Sequence, residues 1–308
     1  MFMKQNRWFL RVLSFALLLS FIACKKDNHS ATEKDDPEVS VHSDDELFFT
    51  SEIDGVFYDA NLLLEAGSVS ARHQDNIICD ATIAVDQLSN PQTITITYDG
   101  AGCIGTRSRE GVVVLSAPQG MQWKNAGAAV KVEFKDLKIT RKSDKKSIAI
   151  NGEQTYTNTS GGLLLKLATL ESITHTVTSS GLSVTFNNGS KRNWQVAQQR
   201  VFTYDNGIVV AVSGTHAEGN NTQVAVWGTN RFGAAFTSAI TDPLVIRQDC
   251  NFRLTGGAVK HTVGSATATA VFGLDASGNP VSCPSGNYYY KLVWTGPNGN
   301  SITAMVAY

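Results

Sequence analysis

The sequence predicts a mainly β protein: a large antiparallel meander, curled or doubled into a sandwich or half-barrel, with one N-terminal helix. Three observations predict it. From Asn76 onward, short runs alternate apolar and polar residues with period two, as where Ile94, Ile96 and Tyr98 interleave with Thr93, Thr95 and Thr97. Turn signals separate the runs: Asp99-Gly100, Asn151-Gly152, Asn188-Gly189, Asn206-Gly207, Ser277-Gly278-Asn279 and Asn298-Gly299. No helical pattern recurs between them, which argues against a parallel α/β architecture.

The chain opens with Lys4, Arg7 and Arg11 ahead of the apolar run Val12–Ala23. A charged start, a short apolar stretch and a small residue before the cut make a secretory signal over residues 1–23. A bilayer-spanning helix needs about 20 apolar residues, so this run is too short to remain as an anchor. Ala23-Cys24 resembles the lipobox of bacterial lipoproteins, with Phe21 in place of the usual Leu. That resemblance implies acylation of Cys24 with palmitate-class chains and a membrane partner. The alternative is a plain secretion signal followed by a chance cysteine.

Residues 24–308 suffice for one large domain or two modest ones. The net charge of −1 argues against a nucleic-acid partner. Lys25–Glu38 is polar and has no large apolar residue, and residues 24–43 read as a disordered acidic tether. Three lysines face eight acids over residues 24–46. Lys26-Asp27 and Lys34-Asp35-Asp36 resemble the surface-export signals of Bacteroidota-type lipoproteins, and the competing reading is that such acids only solvate a linker.

Ser43-Asp44-Asp45-Glu46 matches a capping box and starts the helix. Ile53, Val56, Phe57, Ala60, Leu63 and Leu64 then share one stripe, expected to lie on a sheet. Gly55 costs about 1 kcal/mol in mid-helix, and Gly67 is a plausible stop. The acids at 44–46 read as a solvated helix start rather than a calcium loop, which needs six to eight shaped oxygens. Strands are expected at 92–98, 111–117, 147–158, 172–179, 182–186, 208–213, 222–227, 232–240, 266–272, 288–294 and 301–307. Val130, Val132 and Phe134 share a face that slips to Leu137 and Ile139, so a bulge is expected near Lys135-Asp136. The body is read as one domain over 44–308, with a hint of two halves meeting at 161–165.

Beyond Cys24, the cysteines Cys79, Cys103, Cys250 and Cys283 form an even set in an exported chain, which reads as disulfides. Three connectivities are open. Cys79–Cys103 and Cys250–Cys283 are favoured because each pair brackets one hairpin. No pair has the short spacing of a zinc site.

The motif search points away from catalysis. Gly100-Ala101-Gly102-Cys103-Ile104-Gly105 matches a dinucleotide fingerprint formally, but a strand rather than a helix follows it. There is no Gly-x-Ser-x-Gly, and the six histidines are scattered. No catalytic residue, cofactor or metal is assigned, and Asp54 and Asp59 read as ordinary helix acids. The aromatics Trp123, Trp194, Trp227, Trp294 and Tyr288-Tyr289-Tyr290 suit either a stacking platform or core, with core the commoner use. Tyr288, Tyr290 and Trp294 would share a strand face. Arg107 and Arg109 also share one, and suit an anionic group or a charged sheet edge. These five residues are the ligand-contact candidates.

Ile94–Cys103 followed by Thr106-Arg107-Ser108, Gly214-Thr215, Pro243–Cys250 and the late Cys283 together resemble a family of uncharacterised Bacteroidota-type all-β lipoproteins. The resemblance covers most of residues 44–308, and Asp275–Ser282 departs from the glycine-rich approach usual before the last cysteine. It implies lipidation and an all-β body, and carries no activity or functional residue. The sequence reading is therefore an outer-membrane lipoprotein, expected to be a non-catalytic binding or adhesion module for a glycan, protein or lipid ligand. A periplasmic carrier of an apolar ligand in the curled sheet, and a hydrolase with dispersed catalytic residues, are the alternatives.

Overall fold

The computed structural model describes residues 37–66, 78–101, 106–219, 221–284 and 286–308. The signal, Cys24, the tether up to residue 36, Gly67 and Cys103 lie outside the described residues. Helix α1 spans Pro37–Ala66. It starts earlier than the Ser43 box, at a proline whose missing N–H suits a first turn. Residues 37–43, read from sequence as tether, are thus helical, and His42 is fully buried.

Fifteen strands form one antiparallel sheet. The first seven are β1 (Ala81–Asp86), β2 (Gln92–Asp99), β3 (Arg107–Ala117), β4 (Ala128–Arg141), β5 (Ser147–Asn158), β6 (Ile173–Phe186) and β7 (Lys191–Tyr204), and they run as a plain meander. Then come β8 (Ile208–Gly214), β9 (His216–Glu218), β10 (Asn221–Thr229) and β11 (Ala235–Arg247). β8 pairs one end of β7 with one end of β11, and β10 pairs the other ends, so these two strands share one slot end to end. β9 pairs only β10. The meander resumes through β12 (Arg253–Val263), β13 (Ala266–Leu274), β14 (Tyr289–Thr295) and β15 (Ser301–Ala307). The sheet continues across Gly161-Gly162, and residues 38–308 form one compact unit.

The sheet curls because its long strands carry bulges, each of which sharpens the local twist. The slip expected near Lys135-Asp136 is present: register shifts between Phe134 and Leu137, with Asp136 at φ 48°. Asn151-Gly152 is no turn; it lies inside β5 at a second register shift. Gly152 has φ 115°, and a Cβ there would sit 2.4 Å from the Gly181 carbonyl oxygen. Gly111 stands alike against the Asp136 carbonyl, also at 2.4 Å. Neighbouring backbones can approach this closely only where no side chain intervenes.

The curled sheet is filled by α1. Phe49, Ile53, Val56, Phe57, Ala60 and Leu63 are buried, and so are Asp45, Glu46, Glu52, Asn61 and Glu65. Only Leu47, Ser51 and Leu62 of residues 41–66 are exposed, a single line along the helix. The helix therefore does not lie on the sheet by one stripe, and Asp45 and Glu46 are not a solvated start. Ser43 does not begin the helix, and the Glu46 carboxylate accepts from Thr50 Oγ1 at 3.0 Å.

Burial of so many acids needs partners. The helix contains no lysine or arginine, and the sheet and its turns supply them. Asp44 meets Arg141 and Lys146, Asp45 meets Arg231 in a fork of 2.5 and 2.6 Å, and Glu52 meets Arg107 at 3.0 Å. Asp54 pairs with the fully buried Arg200, and Asp59 accepts from Arg109 at 2.8 Å. Gly55 has a local reason: a Cβ there would meet Arg107 Nη2 at 3.1 Å. Burial raises the carboxyls of Glu52 and Asp59 despite these cations. For Asp44, burial works in the same direction but is outweighed by Arg141 and Lys146, which hold it below the usual range.

Two buried histidines couple this core to pH. His42 packs against Phe236 and Trp194, and burial, aided by His261, lowers its pKa to about 3. His175 sits among Phe57, Trp123 and Phe202, and burial, aided by Arg200, lowers its pKa to about 4. Both are neutral in the folded chain below pH 6.5, where the unfolded chain takes up protons, so their own contribution to stability falls as pH falls, against the opposite contribution of the raised carboxyls. Between pH 6.5 and 5, each histidine should contribute a slope approaching about 1.4 kcal/mol per unit. His42→Leu with His175→Leu should flatten that slope in denaturant titrations; an unchanged slope would contradict the assignment.

Candidate functional site

A cleft of about 480 Å³ opens beside the C-terminal end of α1. That volume falls within the range of small-molecule sites. Three stretches build it: the β1–β2 hairpin with the end of β3, the loop 118–127 leading into β4, and the segment 159–166. Leu64, Val85, Ile94, Leu115, Met121 and Leu163 give it aliphatic walls, with Trp123, Lys124, Lys166 and Asp86 also in the lining.

The two loops are locked together by Asn158 at the end of β5, which is fully buried. Its side-chain amide donates to the Trp123 and Gly162 carbonyls, both at 2.9 Å, and its Oδ1 accepts from Gly161 N–H at 2.9 Å. Gly162 N–H in turn donates to the Lys124 carbonyl at 2.8 Å. A 3-10 turn at Leu164–Thr169 has no side-chain cap of its own. Glu65 of α1 supplies one, accepting from Leu164 N–H at 2.6 Å and Leu165 N–H at 3.1 Å. The helix end thus holds the cleft wall in place. Trp123 is buried, and its indole N–H has no hydrogen-bond partner among the described residues.

The arginines named from sequence sit elsewhere. Arg109 is buried, forks onto Asp80 at 2.6 and 2.7 Å, reaches Asp59, and lies 4.2 Å over the Tyr98 ring. Arg107 is committed to Glu52. Tyr288 is buried against Tyr308 and Arg253, while Tyr290 and Trp294 pack half-buried against the core. None of these five lines the cleft. Trp194 is fully buried among Phe49, Phe186 and Phe236, and Trp227 stacks on His216 at 3.8 Å. Of the aromatic set, Trp123 alone lines the cleft. Asn158, Met121, Lys124 and Lys166 carried no sequence signal, since loops far apart in the chain bring them together.

Cys250 and Cys283 are disulfide-bonded, as the hairpin reading expected. Cys79 is also disulfide-bonded. A second cavity of about 230 Å³ lies between the N-terminal half of α1 and β10–β13. On its wall Ser238 Oγ stands 2.8 Å from His261 Nδ1, and Glu46 approaches that same nitrogen at 3.8 Å. A catalytic triad needs the acid on the opposite ring nitrogen, where it fixes the tautomer. With Ser and Glu on one nitrogen, the group reads as a buried polar contact between α1 and the sheet.

Fold and site together define a β-sheet roll filled by its own helix, with a cleft at its side. Comparison with family models, with curated proteins and with solved structures finds no match in any of the three.

Removing Asn158 should loosen the cleft and the fold together. Asn158→Ala leaves two carbonyls and one N–H without their partner, and should cost about 2–4 kcal/mol in denaturant unfolding. A loss below about 0.5 kcal/mol would mean that the two loops are held by other contacts.

Proposed function

We propose that this protein is a non-catalytic ligand-binding module of the bacterial cell envelope, carried on the outer membrane by lipidated Cys24, with the side cleft as its binding site. The observation that carries the reading is the cleft itself: a recess of about 480 Å³ whose lining mixes aliphatic side chains with polar ones such as Gln87, Gln92, Thr93, Gln122 and Lys124. The sequence features supporting the envelope placement are the signal, Cys24, the acidic stretch after it, and the resemblance to Bacteroidota-type lipoproteins. Export also fits the Cys250–Cys283 disulfide.

A second reading, a carrier of an apolar ligand, is favoured by the aliphatic walls. The hollow of the sheet is occupied by α1, so such a ligand would sit in the cleft and not in the curl of the sheet. For the hydrolase reading, Ser238 and His261 are in contact, but Glu46 approaches the same ring nitrogen as Ser238.

The test is calorimetric titration of the protein with glycan, peptide and lipid panels, repeated on Met121→Trp, which narrows the cleft. A ligand whose affinity falls by about tenfold or more in the variant supports the reading. Binding that ignores the substitution, or none from any panel, contradicts it.

A further inference from the structure

We propose that the cleft takes an amphipathic carboxylate: an aliphatic body against its walls, and an anionic head held by Lys124 and Lys166. This deepens the binding reading above and rests on it. The walls supply the first half of the argument: Leu64, Val85, Ile94, Leu115 and Leu163 offer aliphatic surface beside Gln87, Gln92, Thr93, Ser116 and Gln122, which suits a ligand with both an apolar and a polar part.

Charge supplies the second half. Lys124 and Lys166 both line the cleft, both are exposed, and neither has an ion-pair partner among the described residues. They come from different loops, joined by the Gly162 N–H bond to the Lys124 carbonyl. The nearby acids are already engaged. Asp86 Oδ1 accepts from the N–H groups of Leu88 and Ser89 at 3.0 and 3.1 Å, and the Glu65 carboxylate accepts from Leu164 and Leu165. Two cations therefore face one carboxylate in the lining.

Decanoate below its micellar concentration is the probe, compared by calorimetry with decanol, decyltrimethylammonium and decyl phosphate. Decanoate should bind, the cation should not, and decanol should bind more weakly. Lys124→Gln with Lys166→Gln should weaken decanoate about tenfold while leaving decanol unchanged. Decyl phosphate binding more tightly than decanoate would overturn the carboxylate assignment in favour of a phosphate head group. Decyltrimethylammonium or decanol matching decanoate, or an unchanged affinity in the lysine variant, would overturn the anion. In either case, loss of binding in Met121→Trp would keep the site. Decanoate binding that survives Met121→Trp would overturn the site itself, and absence of binding by all four probes would overturn both.

Discussion

An acidic helix without a single lysine or arginine, enclosed by a sheet that supplies the cations, is the constraint on which this structure depends. Asp44, Asp45, Glu52, Asp54 and Asp59 meet Arg141, Arg231, Arg107, Arg200 and Arg109 along most of the length of α1. Separately, neither surface could be buried: the helix would place unpaired carboxylates against β strands, and the sheet would bury arginines such as Arg200 in apolar surroundings. Together they let α1 present side chains on nearly every face to the sheet. The phenylalanines between the acids then stack against the sheet's aromatics, with Phe49 on Trp194 and Phe57 on Tyr156. Ion pairing specifies how the helix is turned within the sheet, and apolar burial supplies most of the stabilisation.

The same arrangement explains which parts of the fold were legible in sequence. Strands with an apolar alternating run could be read directly: β2 through Ile94, Ile96 and Tyr98, and β5 through Ile148, Ile150 and Tyr156, although Gln154 and Asn158 of β5 are buried as well. β7 could not. Its inward positions are Trp194, Val196, Gln198, Arg200 and Phe202, so two polar residues interrupt the alternation. They belong there only because Asp54 faces Arg200 from a helix 146 residues away in sequence. β12 was hidden by Gly256 and Gly257, and β1 by its short alternation. The Lys135-Asp136 bulge and the Cys250–Cys283 pair were legible because each is a local signal. Asn151-Gly152 misled because a glycine demanded by close backbone approach looks like one demanded by a hairpin.

The site was less legible than the fold for a related reason. Its organiser, Asn158, is one asparagine at a strand end, and its significance lies in two loops that it joins across 35 residues in one direction and four in the other. Its walls are ordinary aliphatic residues, and Lys124 and Lys166 look like any surface lysines. Arg107 and Arg109 drew attention in sequence as paired cations on one strand, but their anions were already present in α1 and at Asp80. The helix thus does two things at once. Its acids use up the sheet's arginines, and its last turn, through Leu64 and Glu65, forms and holds one wall of the cleft.

The measurement that tests this account most directly is the stability of Arg200→Met set against Lys131→Met. Arg200 is buried and pairs with helix Asp54, whereas Lys131 pairs with Glu153 on the exposed face of the sheet, both side chains being about half exposed. If pairing between helix and sheet holds the core, the first change should cost about 3 kcal/mol in denaturant unfolding and the second less than about 1 kcal/mol. Equal and small losses would mean that apolar packing alone positions the helix, and would contradict the account.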